Sequence, residues 1–201
     1  MRILTVIMLN QDNLNQALSF LEETLRAAGA PAVTLVVCGG SALIAQNLIS
    51  RTTKDVDVVA LQDASAKLID AHPLPDYLTA AAQHVAKELE LPDNWLNDGP
   101  TDLFRAGLPS GFEDRMILRE FGSHLRVFFA SRYDQIHFKI YAAADQGPGR
   151  HLNDLLALHP TEEEWLAAAR WTLTHDDSEA FRLILRDMLH QLGHETVAAQ
   201  L

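Results

Sequence analysis

The feature that most constrains the fold is a pair of glycines between an apolar run and a helix-forming segment. Residues 33–38 form a short run rich in β-branched side chains, and Gly39-Gly40-Ser41 follows it directly. The next residues, 42–49, favour a helix. Glycines allow a strand to pass sharply into a helix because they have no Cβ to obstruct the backbone. The sequence therefore predicts a strand, a tight turn and a helix.

A second strand, which carries two carboxylates, follows this unit. Residues 55–61 alternate Asp-Val-Asp-Val and then become apolar. Because successive side chains of a strand point to opposite faces, Asp55 and Asp57 share one face and Val56 and Val58 share the other. Two ionised carboxylates about 5 Å apart repel by roughly 3 kcal/mol at an effective dielectric constant near 20. The pair is therefore costly unless a cation binds there.

The glycine turn and the aspartate pair together suit phosphate chemistry. In nucleotidyl transfer an oxygen attacks a phosphorus atom surrounded by negative oxygens, so cations must neutralise charge and align the reacting groups. Carboxylates hold such cations, whereas glycines and the N–H groups at the start of a helix allow close approach of a phosphate. We therefore expect Gly39, Gly40 and Ser41 to bind a nucleotide, and Asp55 and Asp57 to bind a divalent metal.

Each motif taken alone also has a simpler interpretation. Glycines serve a strand-to-helix turn for steric reasons whatever the function, and two aspartates at a strand start can be ordinary solvated carboxylates. Arg51 and Lys54 flank the aspartates, and the sequence leaves open whether they bind a triphosphate or form solvated pairs. The nine histidines lack metal-binding spacing and Cys38 is the single cysteine, which argues against a zinc site.

The remaining periodicity predicts a chain that is mostly helical. Helices are predicted over residues 13–28, 74–91, 133–144, 151–158, 162–173 and 178–192, and a hairpin over strands 116–120 and 125–130. Thr161 and Glu164 fit a capping box. The pattern predicts an α+β fold with a short mixed β-sheet flanked by helices. We predict a core over residues 1–145 and a helical C-terminal region over 146–201 that packs on it.

Composition and charge narrow the classes of function. The 201 residues include 16 Lys plus Arg and 27 Asp plus Glu, which gives a net charge of -11 at pH 7. This charge repels nucleic-acid backbones and argues against a protein that coats RNA or DNA, but a nucleotide bound with a divalent cation is compatible with it. The sequence has no run of about twenty apolar residues. We expect a cytoplasmic protein that does not contact membranes.

The two motifs resemble those of a known superfamily. The run Cys38-Gly-Gly-Ser-Ala-Leu43, followed by Arg51-Thr-Thr-Lys-Asp-Val-Asp57, is similar to the signature of the polymerase-β-type nucleotidyltransferases. Within that superfamily the chain most resembles the AbiEii-like and DUF6036-like bacterial branch, several of whose members are toxins of toxin–antitoxin pairs. The similarity is strong over residues 33–61 and loose over 133–158.

The resemblance implies roles for particular residues. Asp55 and Asp57 would bind Mg²⁺ or Mn²⁺, and Ser41 would contact phosphate. Lys139 would pair with the triphosphate of a nucleoside triphosphate, and Asp154 would be a further catalytic residue that orients or deprotonates a nearby group. The implied activity is nucleotidyl transfer to an RNA end, a protein or a small molecule. A cognate antitoxin protein is an implied partner.

One departure from the superfamily pattern leads to an alternative function. Active polymerase-β-type enzymes carry a third carboxylate on a later strand, and residues 125–130 contain none. Glu120 on the preceding strand and Asp154 on a helix are the candidates to replace it. The alternative is a catalytically inactive member of the fold that serves as a nucleotide-binding or protein-interaction module.

Overall fold

The computed structural model describes residues 7–201 and confirms the predicted α+β fold. Its elements are α1 (Gln11–Ala27), β1 (Val33–Cys38), α2 (Gly39–Ala45), β2 (Val56–Gln62), β3 (Leu68–Ile69), α3 (Asp76–Glu88), β4 (Leu96–Asn97), α4 (Thr101–Ala106), α5 (Phe112–Arg115), β5 (Ile117–Glu120), β6 (Leu125–Phe129), α6 (Arg132–Gln146), α7 (Arg150–Ala157), α8 (Glu162–His175), α9 (Glu179–Gln191) and α10 (Glu195–Ala198).

The described chain divides into two compact units. The first comprises residues 7–105 and 113–130 and contains the sheet, whereas the second comprises 106–112 and 131–201 and is helical. This division differs from the predicted boundary after residue 145. The 147–149 segment, just after that boundary, is a short connection between α6 and α7, and α6 packs with α7, α8 and α9.

The first unit is built on a mixed sheet whose order is β3-β2-β1-β6-β5, with β4 paired to β2 outside this path. Strand β1 is antiparallel to β2 and parallel to β6. Strands β5 and β6 form the predicted antiparallel hairpin. Cys38 at the end of β1 lies opposite Asp57 near the start of β2. The topology thus brings the glycine turn after β1 and the beginning of β2 to the same edge of the sheet.

One face of the sheet packs on amphipathic helices. The helical spacing of leucines in α1 places Leu14, Leu18 and Leu21 at 0% exposure, in one core cluster with residues of α3 and of the sheet. Burial of a leucine side chain stabilises a fold by about 1.5–3 kcal/mol. Trp95 is also fully buried, and its indole N–H donates to the Ala82 carbonyl at 2.9 Å. This bond anchors the chain immediately before β4.

Two side chains hold the end of α2 against neighbouring strands. The Gln46 amide donates to the carbonyls of Ala42 at 2.8 Å and of Ala130 at 2.9 Å. Arg119 on β5 donates to the Ala45 carbonyl. Carbonyls in the last turn of a helix have no partner within the helix, so these donors satisfy groups that would otherwise be costly to bury. The contacts position α2, whose first residues form the glycine turn.

The second unit has a core rich in aromatic side chains. The carbonyl of Gly107 accepts from the Trp171 indole at 3.0 Å and lies 3.1 Å from His175 Nε2, so the 106–112 segment is tied to α8. The capping box predicted at Thr161 and Glu164 is present at the start of α8. None of the helices within residues 7–201 is long and apolar enough to cross a membrane.

The main predicted elements are confirmed with shifts of a few residues at their ends. The helix predicted over residues 42–49 is instead Gly39–Ala45, so the helix begins within the glycine turn. Five short elements were not predicted, namely β3, β4, α4, α5 and α10. Each is too short for hydrophobic periodicity to reveal it.

Candidate active site

Polar side chains from β2 and from the residues just before it lie against the glycine turn. Gly39 has φ +72°, a conformation that other residues rarely adopt. A Cβ at Gly39 would collide with the carboxylate of Asp57, and a Cβ at Gly40 would meet Thr53 Oγ1 at 2.9 Å and Arg51 Nη2 at 3.2 Å. The space that glycine leaves is therefore filled by this chain's own side chains. The two glycines bring a carboxylate and a guanidinium up against the backbone.

Asp57 is positioned from both neighbouring strands. The register places it opposite Cys38 of β1 and Asn97 of β4. The Asn97 amide donates to Asp57 Oδ1 at 3.2 Å, and its oxygen accepts the Gly99 N–H at 2.9 Å. The second bond sets which way the amide points, because only its oxygen accepts. Asp57 is half-buried, and its carboxylate therefore has a defined orientation at the edge of the sheet.

Asp55 is linked to the same turn through a threonine. Thr53 is buried, and its hydroxyl donates to Asp55 Oδ1 at 2.9 Å. The backbone of Thr53 pairs with Leu9 in an isolated antiparallel bridge, which fixes the position of the hydroxyl. The same hydroxyl lies against Gly40. The structure thus brings both glycines and both aspartates together, as their order in the sequence predicts.

Ser41 lies one residue beyond this cluster, with its side chain turned inward. It is fully buried, and its hydroxyl donates to the Cys38 carbonyl at 3.4 Å. A contact between Ser41 and phosphate requires the hydroxyl to turn away from that carbonyl. The nucleotide-binding role of Ser41 stays a prediction.

Lys139 and Asp154 form an ion pair inside the second unit. Lys139 Nζ lies 2.7 Å from Asp154 Oδ2, and the two side chains are 5% and 2% exposed. The sequence-based interpretation assigned them separate contacts with a triphosphate and a reacting group. In the structure each charge neutralises the other, an arrangement that is costly to break when both groups are buried. Their roles towards a substrate stay predictions.

A comparison with models of protein families shows to which family the chain belongs. A family model described as a nucleotidyltransferase of unknown function, DUF6036, matches residues 12–149, which is more than half of the chain. The chain belongs to this family. The match includes the glycine turn, both aspartates and Lys139, and it ends before Asp154. Neither the curated proteins nor the solved structures include a match to the chain.

Membership of this nucleotidyltransferase family implies a nucleoside triphosphate substrate, and the two aspartates have the chemistry to hold a divalent cation with it. Mg²⁺ and Mn²⁺ prefer carboxylate oxygens. Each aspartate here accepts a hydrogen bond on Oδ1, from Thr53 or from Asn97, which is how outer groups orient metal-binding carboxylates. Water and substrate phosphates complete the coordination of Mg²⁺ at sites that supply only one or two carboxylates.

Within the described residues 7–201, no third carboxylate completes a metal-binding group with these two. Glu120 pairs with Arg126, and Arg126 pairs with Thr34 near the start of β1. Since Asp57 pairs with Cys38 at the other end of β1, Glu120 lies at the opposite end of the sheet. The suggestion that Glu120 replaces the missing carboxylate is therefore wrong. Among residues 7–201, no group of three or more His, Cys, Asp and Glu side chains could hold a metal ion.

Sequence reasoning missed the two neutral groups that orient the aspartates. Asn97 lies outside every predicted helix and strand, because β4 is two residues long and its pairing with β2 leaves no periodic signal. Thr53 was not singled out, although it stands two residues before Asp55. The spacing of Thr53 and Asp55 suits a local side-chain bond, and that was the one available signal.

Proposed function

We propose that the protein is a Mg²⁺- or Mn²⁺-dependent nucleotidyltransferase that transfers a nucleotidyl group from a nucleoside triphosphate to an acceptor hydroxyl. One observation supports this proposal most directly: both aspartates are linked to the glycine turn by contacts of their side chains. Asp57 lies against Gly39, and Asp55 reaches Gly40 through Thr53. A phosphate bound at this edge of the sheet therefore lies beside both carboxylates.

The chain's own residues hold and orient the reacting groups. Thr53 and Asn97 fix the directions of the Asp55 and Asp57 carboxylates, so that a cation and the phosphate it carries bind in one geometry. A bound divalent cation supplies charge neutralisation at the phosphate and alignment of the attacking and leaving oxygens. The glycines keep the turn narrow enough for the carboxylate of Asp57 to lie beside it.

The net charge of the chain favours some classes of acceptor over others. With a net charge of -11, the protein repels long phosphate backbones and favours an acceptor that presents few phosphates. We therefore propose an RNA end, a protein hydroxyl or a small molecule as the acceptor. The resemblance to the AbiEii-like branch supports a toxin role with a cognate antitoxin protein as partner.

One observation favours the alternative of a nucleotide-binding module without catalysis. The site has two carboxylates, and no third group completes a metal-binding cluster within residues 7–201. A module of this kind would bind a nucleoside triphosphate with its metal and would not release pyrophosphate.

The test measures binding and turnover separately. Each of the four nucleoside triphosphates, labelled on the α-phosphate, is incubated with Mg²⁺ or Mn²⁺ and with RNA, protein and small-molecule pools. The wild type is compared with the Asp55→Asn, Asp57→Asn double variant and with Glu23→Gln, which removes a charge on the exposed side of α1.

Three outcomes separate the hypotheses. Transfer of label by the wild type and by Glu23→Gln, but not by the double variant, supports the enzyme. Metal-dependent binding without pyrophosphate release supports the non-catalytic module. If no triphosphate binds with or without metal, the proposed function is rejected.

A further inference from the structure

We infer that Arg51 is the cationic side chain that binds the triphosphate tail of the nucleotide. This inference rests on the proposed function, and it assigns to Arg51 the phosphate contact that the resemblance assigned to Lys139.

The need for a local cation follows from charge. The triphosphate tail and the aspartates beside it are all negative, and the chain as a whole carries -11. Long-range attraction therefore does not bring a phosphate to this site, and neutralisation depends on a divalent metal and on nearby cationic side chains.

Arg51 places a positive charge directly at the glycine turn. Its Nη2 atom lies 3.2 Å from the position that a Cβ of Gly40 would occupy. Thr53, which orients Asp55, contacts the same point at 2.9 Å through its hydroxyl. The guanidinium and the Thr53 hydroxyl, which donates to Asp55, therefore approach one backbone position from the same segment of chain.

The guanidinium is also held in a defined direction. Arg51 Nη1 donates to the Thr52 carbonyl at 2.8 Å, and the residue is half-buried. An arginine presents five N–H donors in a planar fork, which matches the oxygens of a phosphate better than a lysine does. A preorganised fork loses little conformational entropy when it binds an anion.

Open space adjoins Arg51. A groove of about 610 Å³ is lined by Arg51, by residues 10–12 at the start of α1, and by residues 44 and 47–50 in and after α2. The groove is open to solvent, and Arg51 both lines it and lies against Gly40. Arg51 is half-buried, whereas the Lys139 side chain is 5% exposed, so the guanidinium is the more accessible of the two cationic groups.

The test compares ligands that differ only in the number of phosphates. Binding of the four nucleoside triphosphates, their monophosphates and inorganic tripolyphosphate is measured by calorimetry in Mg²⁺. The proteins are the wild type, Arg51→Gln, Arg51→Lys and the control Lys67→Gln, which removes an exposed positive charge in the turn between β2 and β3.

We expect Arg51→Gln to weaken binding of triphosphates and tripolyphosphate by roughly ten- to a hundredfold, as loss of a charged hydrogen bond does. Monophosphate affinity should change by less than about twofold. Arg51→Lys keeps the charge without the fork and should give an intermediate loss for the triphosphates. Lys67→Gln should behave as the wild type does.

Other results overturn the inference. Equal weakening of mono- and triphosphates, or unchanged triphosphate binding by folded Arg51→Gln, removes Arg51 from the phosphate site while the proposed function stands. If both Arg51 variants lose the circular dichroism spectrum of the folded protein, Arg51 is structural. If the wild type binds no nucleotide, the proposed function fails and the inference fails with it.

Discussion

The edge of the sheet at Asp55 and Asp57 and the buried pair in the helical unit use charged residues in opposite ways. The two aspartates are half-buried, and each is oriented by a neutral donor, Thr53 or Asn97. Lys139 and Asp154 are buried and neutralise each other. A hydrogen bond from Thr53 or Asn97 orients a carboxylate, whereas the ammonium of Lys139 also neutralises the one that it contacts. Residues that match one functional pattern therefore lie in different surroundings, half-buried at the start of a strand in one unit and in a buried ion pair in the other.

The strongest test of this comparison removes one member of the buried pair. Lys139→Met removes the ammonium from the buried carboxylate of Asp154, and we expect it to lower the free energy of unfolding by about 3–5 kcal/mol. The double variant Lys139→Met, Asp154→Leu should recover most of the loss, since it buries no charge. Asp55→Asn, at a half-buried position, should change the free energy by less than about 1 kcal/mol.

Urea denaturation of the four proteins measures these differences. A loss below about 1 kcal/mol for Lys139→Met would show that the pair is not needed for stability, and it would restore the role of Lys139 towards a substrate.

The second test compares two glycines that have a similar backbone conformation. Gly39 has φ +72° and Gly29 has φ +61°, so alanine at either position costs about 1–2 kcal/mol of backbone strain. A Cβ at Gly29 has nothing within 4 Å, whereas one at Gly39 collides with Asp57. We expect Gly39→Ala to weaken Mg²⁺-dependent nucleotide binding by at least about tenfold and Gly29→Ala to leave it unchanged.

Calorimetry with a triphosphate and thermal unfolding of both variants provide the measurement. Equal nucleotide binding by the two variants would mean that the approach of Asp57 to Gly39 does not matter for the ligand. The edge of the sheet at Asp55 and Asp57 would then have no greater claim to nucleotide binding than the Lys139–Asp154 pair.

The smallest expected effect is a pH dependence in the helical unit. Burial lowers the pKa of His175, against a smaller opposing effect of its bond to the Gly107 carbonyl. The unfolded chain therefore binds a proton near its ordinary pKa of about 6.5, while the folded chain resists protonation. Stability should fall as the pH drops below about 6.5 and level off below the folded pKa.

Denaturation of the wild type and of His175→Gln between about pH 7.5 and about pH 5.5 checks this sign. The glutamine variant should show the shallower dependence. A steeper dependence in the variant would mean that another group of the molecule controls acid stability.

Local patterns explain why much of the first unit was predictable. The run from Val33 to Asp57 contains a strand, a glycine turn and an alternating strand start, each encoded by neighbouring residues, and the observed strands agree. The hairpin of β5 and β6 follows from two short apolar strands around Gly122 and Ser123. The contact of Asn97 with Asp57 could not be predicted, because the two residues are 40 positions apart in the sequence and meet only through the pairing of the two-residue strand β4 with β2.

Neighbouring residues encode the α+β class, the two aspartates on one face of a strand and the glycine turn before them, because alternation, steric freedom and capping act over a few residues. The folded chain alone shows that Thr53 and Asn97 orient the aspartates, that Arg51 lies against Gly40, and that Lys139 pairs with Asp154. Strand pairing and helix packing bring those groups together, and several of them are separated in the sequence by far more than the reach of a local pattern.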